Sequence, residues 1–176
     1  MSKDQLGDLK HAFQWVYAYF DDVCRLFKRT RRLMSDVDYD MQEGNKVYFT
    51  GSQSLDRPEQ WLPDYHFQFF RKIESKNLLA VLIEHYDVGN PKWTPQIYLV
   101  CFTDVKKLRP GAINYHWDPR EDPKEKKGRN SVFSGTAQAK ELKKVKYSYK
   151  KLDLKDIGSL GDVTAKIVDP LIKLDK

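Results

Sequence analysis

The chain has 176 residues, 40% apolar and 13% aromatic, a composition suited to one globular domain with a real core. No run approaches the roughly 18 apolar residues of a membrane span, and no apolar core of a secretory signal follows the polar start MSKDQLGD. The net charge of +6 sits in one segment: residues 105–151 carry 14 basic and 5 acidic side chains, whereas residues 1–104 carry 13 and 15. Any electrostatic function is sought there first. Cys24 and Cys101 lie in apolar periodic segments, which suits buried, reduced thiols rather than a disulfide framework. A cytoplasmic location without membrane contact is the expectation.

The first predicted element is a long helix from about Asp4 to Met34. Leu6, Leu9, Phe13, Val16, Phe20, Val23 and Phe27 recur at alternating spacings of three and four, which puts them on one face. Trp15, Tyr19 and Leu26 widen that face beyond a bare coiled-coil seam, and these three are the candidate residues of a homodimer interface. After the acidic turn SDVDYDMQEGN comes a short strand at 46–50, and then the loop GSQSLDRPEQWLP.

Three strands follow, at 65–74, 78–87 and 96–104. In the first, Tyr65, Phe67, Phe69 and Ile73 alternate with His66, Gln68, Lys72 and Glu74, which predicts one buried and one wetter face; Phe70 breaks the pattern. LLAVLI and IYLVCF are apolar on both faces, as in central strands covered on each side. The connections are too short for a crossover helix, so an antiparallel meander is predicted, with His85 able to face Tyr98 across a hairpin.

From Val105 to Lys143 the periodicity collapses, and the charged run around Asp118–Asn130 reads as a mobile loop. A brief helix is predicted around 136–144. VKYSYKKLDL then alternates Tyr147 and Tyr149 against Lys146 and Lys150, a strand with one basic face. The segment 157–174 predicts one or two short helices, interrupted by Gly158, Gly161 and Pro170.

WLPDYHFQFFRKIESK, at 61–76, contains Pro63-Asp64 and Glu74-x-Lys76. Spelled so, it resembles the signature of the PD-(D/E)xK nucleases. The resemblance implies a divalent metal held by the Asp and the Glu, and a Lys that helps to activate water. Nine residues without a turn former separate Asp64 from Glu74. An extended strand would hold the two carboxylates roughly 30 Å apart, and a helix about 15 Å, so the match fails on geometry.

His11, His66, His85 and His116 form no zinc spacing. There is no phosphate-binding glycine loop, dinucleotide fingerprint or G-x-S-x-G; Ser134 in FSGTAQ has no local base. No catalytic residue, metal or cofactor is assigned. Lys140, Lys143, Lys144, Lys146, Lys150 and Lys151 are the candidate polyanion-binding residues. Trp61, Trp93, Tyr115 and Trp117 are loop aromatics that either anchor their own loops or meet a partner.

The expectation is a single α+β domain over 1–176, with a flexible basic loop at about 105–143. A long N-terminal helix and short C-terminal helices pack on a mostly antiparallel sheet of about five strands. The expected function is a non-catalytic protein-interaction or regulatory module that self-associates. The alternatives are nucleic-acid binding through residues 105–151, or an enzyme whose cleft near the central strand ends is lined by Glu84, His85 or Asp87.

Overall fold

The computed structural model describes residues 3–44, 46–49, 62–87, 90, 92–106, 108–117, 126–127, 132–137, 139–142 and 145–176. Of these, 3–6, 114–115, 126–127 and 140 are described through the backbone alone. Helix α1 spans Lys3–Ser35. The strands are β1 Tyr39–Met41, β2 Tyr48–Phe49, β3 Tyr65–Lys72, β4 Leu78–Glu84, β5 Gln96–Thr103, β6 Lys126–Lys127, β7 Phe133–Thr136 and β8 Lys146–Asp153. They form one sheet in the order β1-β3-β4-β5-β8-β7-β6, with β2 also paired to β3. Every pairing is antiparallel, and β3, β4 and β5 form the expected meander. β1 and β2 share the outer edge of β3, at 70–72 and 66–67.

Both faces of the sheet are covered, and this explains the doubly apolar strands β4 and β5. On one face, Phe70, Leu79, Val81, Ile83, Ile97, Leu99 and Cys101 pack against Val23, Leu26, Phe27 and Met34 of α1. Val163, Ile167, Val168 and Leu171 of the C-terminal helices complete that layer. On the other face, Phe67, Phe69, Leu82, Val100, Phe102, Tyr147 and Tyr149 pack against Ile113, Trp117 and Leu142. Tyr147 and Tyr149 thus turn into the core, as the alternation in β8 predicts.

The C-terminal helices are α3 Leu160–Asp162, a π turn at Val163–Val168, and α4 Asp169–Leu174. The π turn resolves the problem set by Pro170, which has no N–H to donate and whose ring would meet the carbonyl four residues back. Asp169 N–H reaches back to the Thr164 carbonyl, and α4 then starts with Pro170 in its first turn, where its missing N–H matters least. Near the C-terminus, Asp175 accepts from Tyr39 Oη at 2.7 Å and from Asn77 Nδ2 at 2.8 Å. These bonds tie the last turn to β1 and to the β3–β4 turn.

Several elements depart from the expectation. The segment with no periodicity contains helix α2, Pro110–His116, and strand β7, which includes Ser134. The helix expected at 136–144 shrinks to a 3-10 turn at Lys140–Leu142. Apart from Lys126–Lys127, the run Asp118–Asn130 lies outside the described residues. The expected wet face of β3 is covered by α1, so Gln68 is only 2% exposed. Phe70, on the same face as His66 and Gln68, is the residue that reports the cover.

Candidate functional site

The apolar stripe of α1 runs past the edge of the body. From Val23 onward it lies on the sheet, with Val23, Leu26, Phe27, Thr30 and Met34 buried. Residues 8–18 are exposed on every side. In this half Phe13 is 66% exposed, Trp15 and Tyr17 are each 78% exposed, and Leu9 and Val16 are also open. Of the three interface candidates only Trp15 is free. Leu26 is packed against the sheet and Tyr19 is half-buried, because both lie on the flank of α1 that turns toward the body.

Tyr19 starts a hydrogen-bonded chain. Its hydroxyl lies 2.6 Å from His85 Nδ1, and His85 Nε2 lies 2.5 Å from His66 Nδ1. Phe20 sits edge-on to both imidazoles, at 5.6 Å from His66 and 5.2 Å from His85. Burial lowers the pKa of His66 to about 4; burial and then the neighbouring His66 lower that of His85 to about 3, so both rings are neutral at pH 7. Burial also raises the Tyr19 pKa, which keeps its proton in place. The protons are assigned from the bond pattern. Tyr19 Oη–H donates to His85 Nδ1, His85 Nε2–H donates to His66 Nδ1, and His66 is left with an Nε2–H to give. His85 therefore points toward α1 and not toward Tyr98, as the sequence suggested. Tyr98 Oη instead donates to Glu84 at 2.8 Å on the opposite face.

Beside this chain a cavity of about 790 Å³ opens between α1 and the β3 edge. Phe20, Val23, Phe27, Met41, Val47, Phe49 and Pro63 supply its apolar wall, and His66 and Gln68 its polar groups. Gln68 Nε2 lies 3.5 Å from Met41 Sδ, while Oε1 is buried with no partner among the described residues. Cys24, Lys28 and Arg31, all exposed, stand at the rim.

The other candidates do not converge. Lys146 and Lys150 share the helix-side face of β8, but Lys151 points to the opposite face, over Trp93 at 4.6 Å and Tyr98 at 4.9 Å. Lys143 and Lys144 and the side chain of Lys140 lie outside the described residues. Trp93, beneath Lys151, and Trp117, 5.1 Å from Phe102, anchor to their own domain. Trp61 and the Tyr115 side chain lie outside the described residues. Glu84 and His85 face opposite sides of the sheet, so they cannot line one cleft. Asp64 and Glu74 bracket the eight residues of β3, one at each end. Among the described residues, no three His, Cys, Asp or Glu side chains gather as a metal ion would require. No helix there is long and apolar enough to cross a membrane. The chain matches no family model, no curated protein and no solved structure.

Proposed function

We propose that the protein is a non-catalytic interaction module that self-associates through the projecting half of α1, and the open stripe of Leu9, Phe13 and Val16 carries this reading. These side chains continue, at the same spacing, the stripe that the sheet covers further along. An apolar stripe of this kind is stable in water only where something covers it. A second copy of α1 fits because the alternating three- and four-residue spacing is the repeat that interlocks with itself. The flanking positions Lys10, Ala12 and Tyr17 place no opposed acids across such a seam. With the body at the C-terminal end of α1, antiparallel pairing keeps the two bodies apart.

Phe13 and the flanking Tyr17, aromatics of roughly 150–250 Å² each and about two-thirds exposed or more, bring some 200–350 Å² to each side of the seam, with Leu9 and Val16 adding to it. That is below the ~800 Å² per partner of a standard interface, so a dimer in the micromolar range is expected. Sedimentation across micromolar concentrations is the test. The wild type should shift from monomer to dimer, and Phe13→Glu with Val16→Glu should hold it monomeric while leaving the far-ultraviolet spectrum of the body intact. A wild type that stays monomeric throughout defeats the proposal.

A further inference from the structure

We infer that the cavity between α1 and β3 binds an amphipathic anion: an apolar chain or ring system that carries an acidic head and one uncharged hydroxyl or amide. Its size lies within the 300–1,000 Å³ range of small-molecule sites, and it has their usual make-up of apolar walls with few polar groups. Each part of the ligand answers to named residues. Phe20, Val23, Phe27, Val47 and Phe49 take the apolar body. Lys28 and Arg31 at the rim have no ion-pair partner among the described residues, and they suit a carboxylate, sulfate or phosphate head.

The inner polar pair defines the third feature. Gln68 is 2% exposed with an unsatisfied carbonyl oxygen. A buried acceptor of this kind is costly until a donor reaches it. His66, fixed by the Tyr19–His85 chain, lines the same cavity two residues away on the same face of β3. A hydroxyl or an amide both accepts from an N–H and donates to a carbonyl, so it satisfies both groups at once. A plain alkyl chain satisfies neither, and it would leave the glutamine oxygen buried and dry. The site is thus built for a functionalised ligand rather than for any apolar filler.

Calorimetry with 12-hydroxydodecanoate, dodecanoate and dodecane-1,12-diol tests this, with all three below micelle-forming concentrations. Position is read from Cys24, an exposed thiol at the rim, by its rate of reaction with dithiobis(nitrobenzoate); Cys101 is buried and does not compete. The expected result is one-to-one binding of the hydroxy acid, about tenfold tighter than either relative, with slowed modification of Cys24. Gln68→Leu should erase the preference over dodecanoate, and Lys28→Glu with Arg31→Glu the preference over the diol. Should Gln68→Leu fail to fold, Gln68→Met removes the carbonyl at closer shape. No saturable binding up to about 1 mM overturns the inference, as does binding that leaves the Cys24 rate unchanged or preferences that survive both variants. Because Phe13 and Val16 lie outside the cavity, the monomeric variant should bind as the wild type does. The two proposals therefore fail separately.

Discussion

Phe13 and Phe27 occupy equivalent positions on α1, two heptads apart, yet one is 66% exposed and the other 4%. Their sequence neighbourhoods are alike: each sits in an amphipathic run with alternating three- and four-residue spacing. What differs is the presence of sheet beneath them. The strands beneath α1 underlie Phe20 onward and leave residues 8–18 without a floor. Periodicity therefore reports that a helix has a face to bury, and not whether the same chain buries it.

The largest expected effect comes from breaking that symmetry directly. Phe27→Ala should cost about 3–5 kcal/mol, as for a large aromatic lost from a core. Phe13→Ala should leave the stability of the monomer within about 0.5 kcal/mol. Urea unfolding of both at low protein concentration checks it. Equal costs would mean that the projecting half is packed within the chain after all.

Acid should loosen the point where the two halves meet. His66 and His85 have folded pKa values near 4 and 3, below the ordinary value of 6.5. Between those limits the unfolded chain binds more protons, so stability is full above pH 6.5 and falls as the pH drops toward 4. Each histidine contributes at most about 1.4 kcal/mol per pH unit, less for His66, whose ring borders the cavity. A loss of about 2–4 kcal/mol between pH 6.5 and 4 is expected. Urea midpoints measured across this range supply the check, and neither imidazole should titrate by proton NMR above pH of about 5.

A smaller effect is expected from Tyr19→Phe. It removes the donor to His85 Nδ1, leaving a buried imidazole nitrogen without its partner at the first turn of α1 that meets the body. The expected cost is about 1–2 kcal/mol, with the amides of residues 8–18 no more protected than before. A loss of α1 helicity extending past Val23 would show instead that Tyr19 holds the whole helix down.

The meander, the long helix and the inward tyrosines of β8 were legible because each rests on a pattern several residues long. The site was not, for two physical reasons. Single-strand alternation cannot tell a solvent face from one roofed by a helix, so Gln68 and His66 read as wet when they lie under α1. Nor can it place partners far apart in the chain: the Tyr19–His85–His66 chain joins residues 66 and 19 positions apart. Phe70 was the one local clue, an aromatic out of phase on the supposedly polar face. Helix α2 and β7 were missed because their few apolar residues, Ile113 and Phe133 among them, are too sparse to show a period.

The smallest effect tests the projecting half alone. Gly7 sits in α1 one turn from its start, and a Cβ added there would meet nothing within 4 Å. Ala is favoured over Gly inside a helix by about 0.8–1.0 kcal/mol, so Gly7→Ala should steady the helix end without touching the body. In the monomer this end frays independently of global unfolding. The urea midpoint should therefore stay fixed while the amides just beyond Gly7 exchange about three- to fivefold more slowly. If α1 pairs with a second copy, an ordered end also pre-forms the seam, and the association constant should rise by a similar factor. Slower exchange with unchanged association would place the seam beyond the first turns, nearer Val16. Faster exchange would mean that Gly7 is needed for a conformation other than helix, and the projecting half would lose its claim to be a preformed surface.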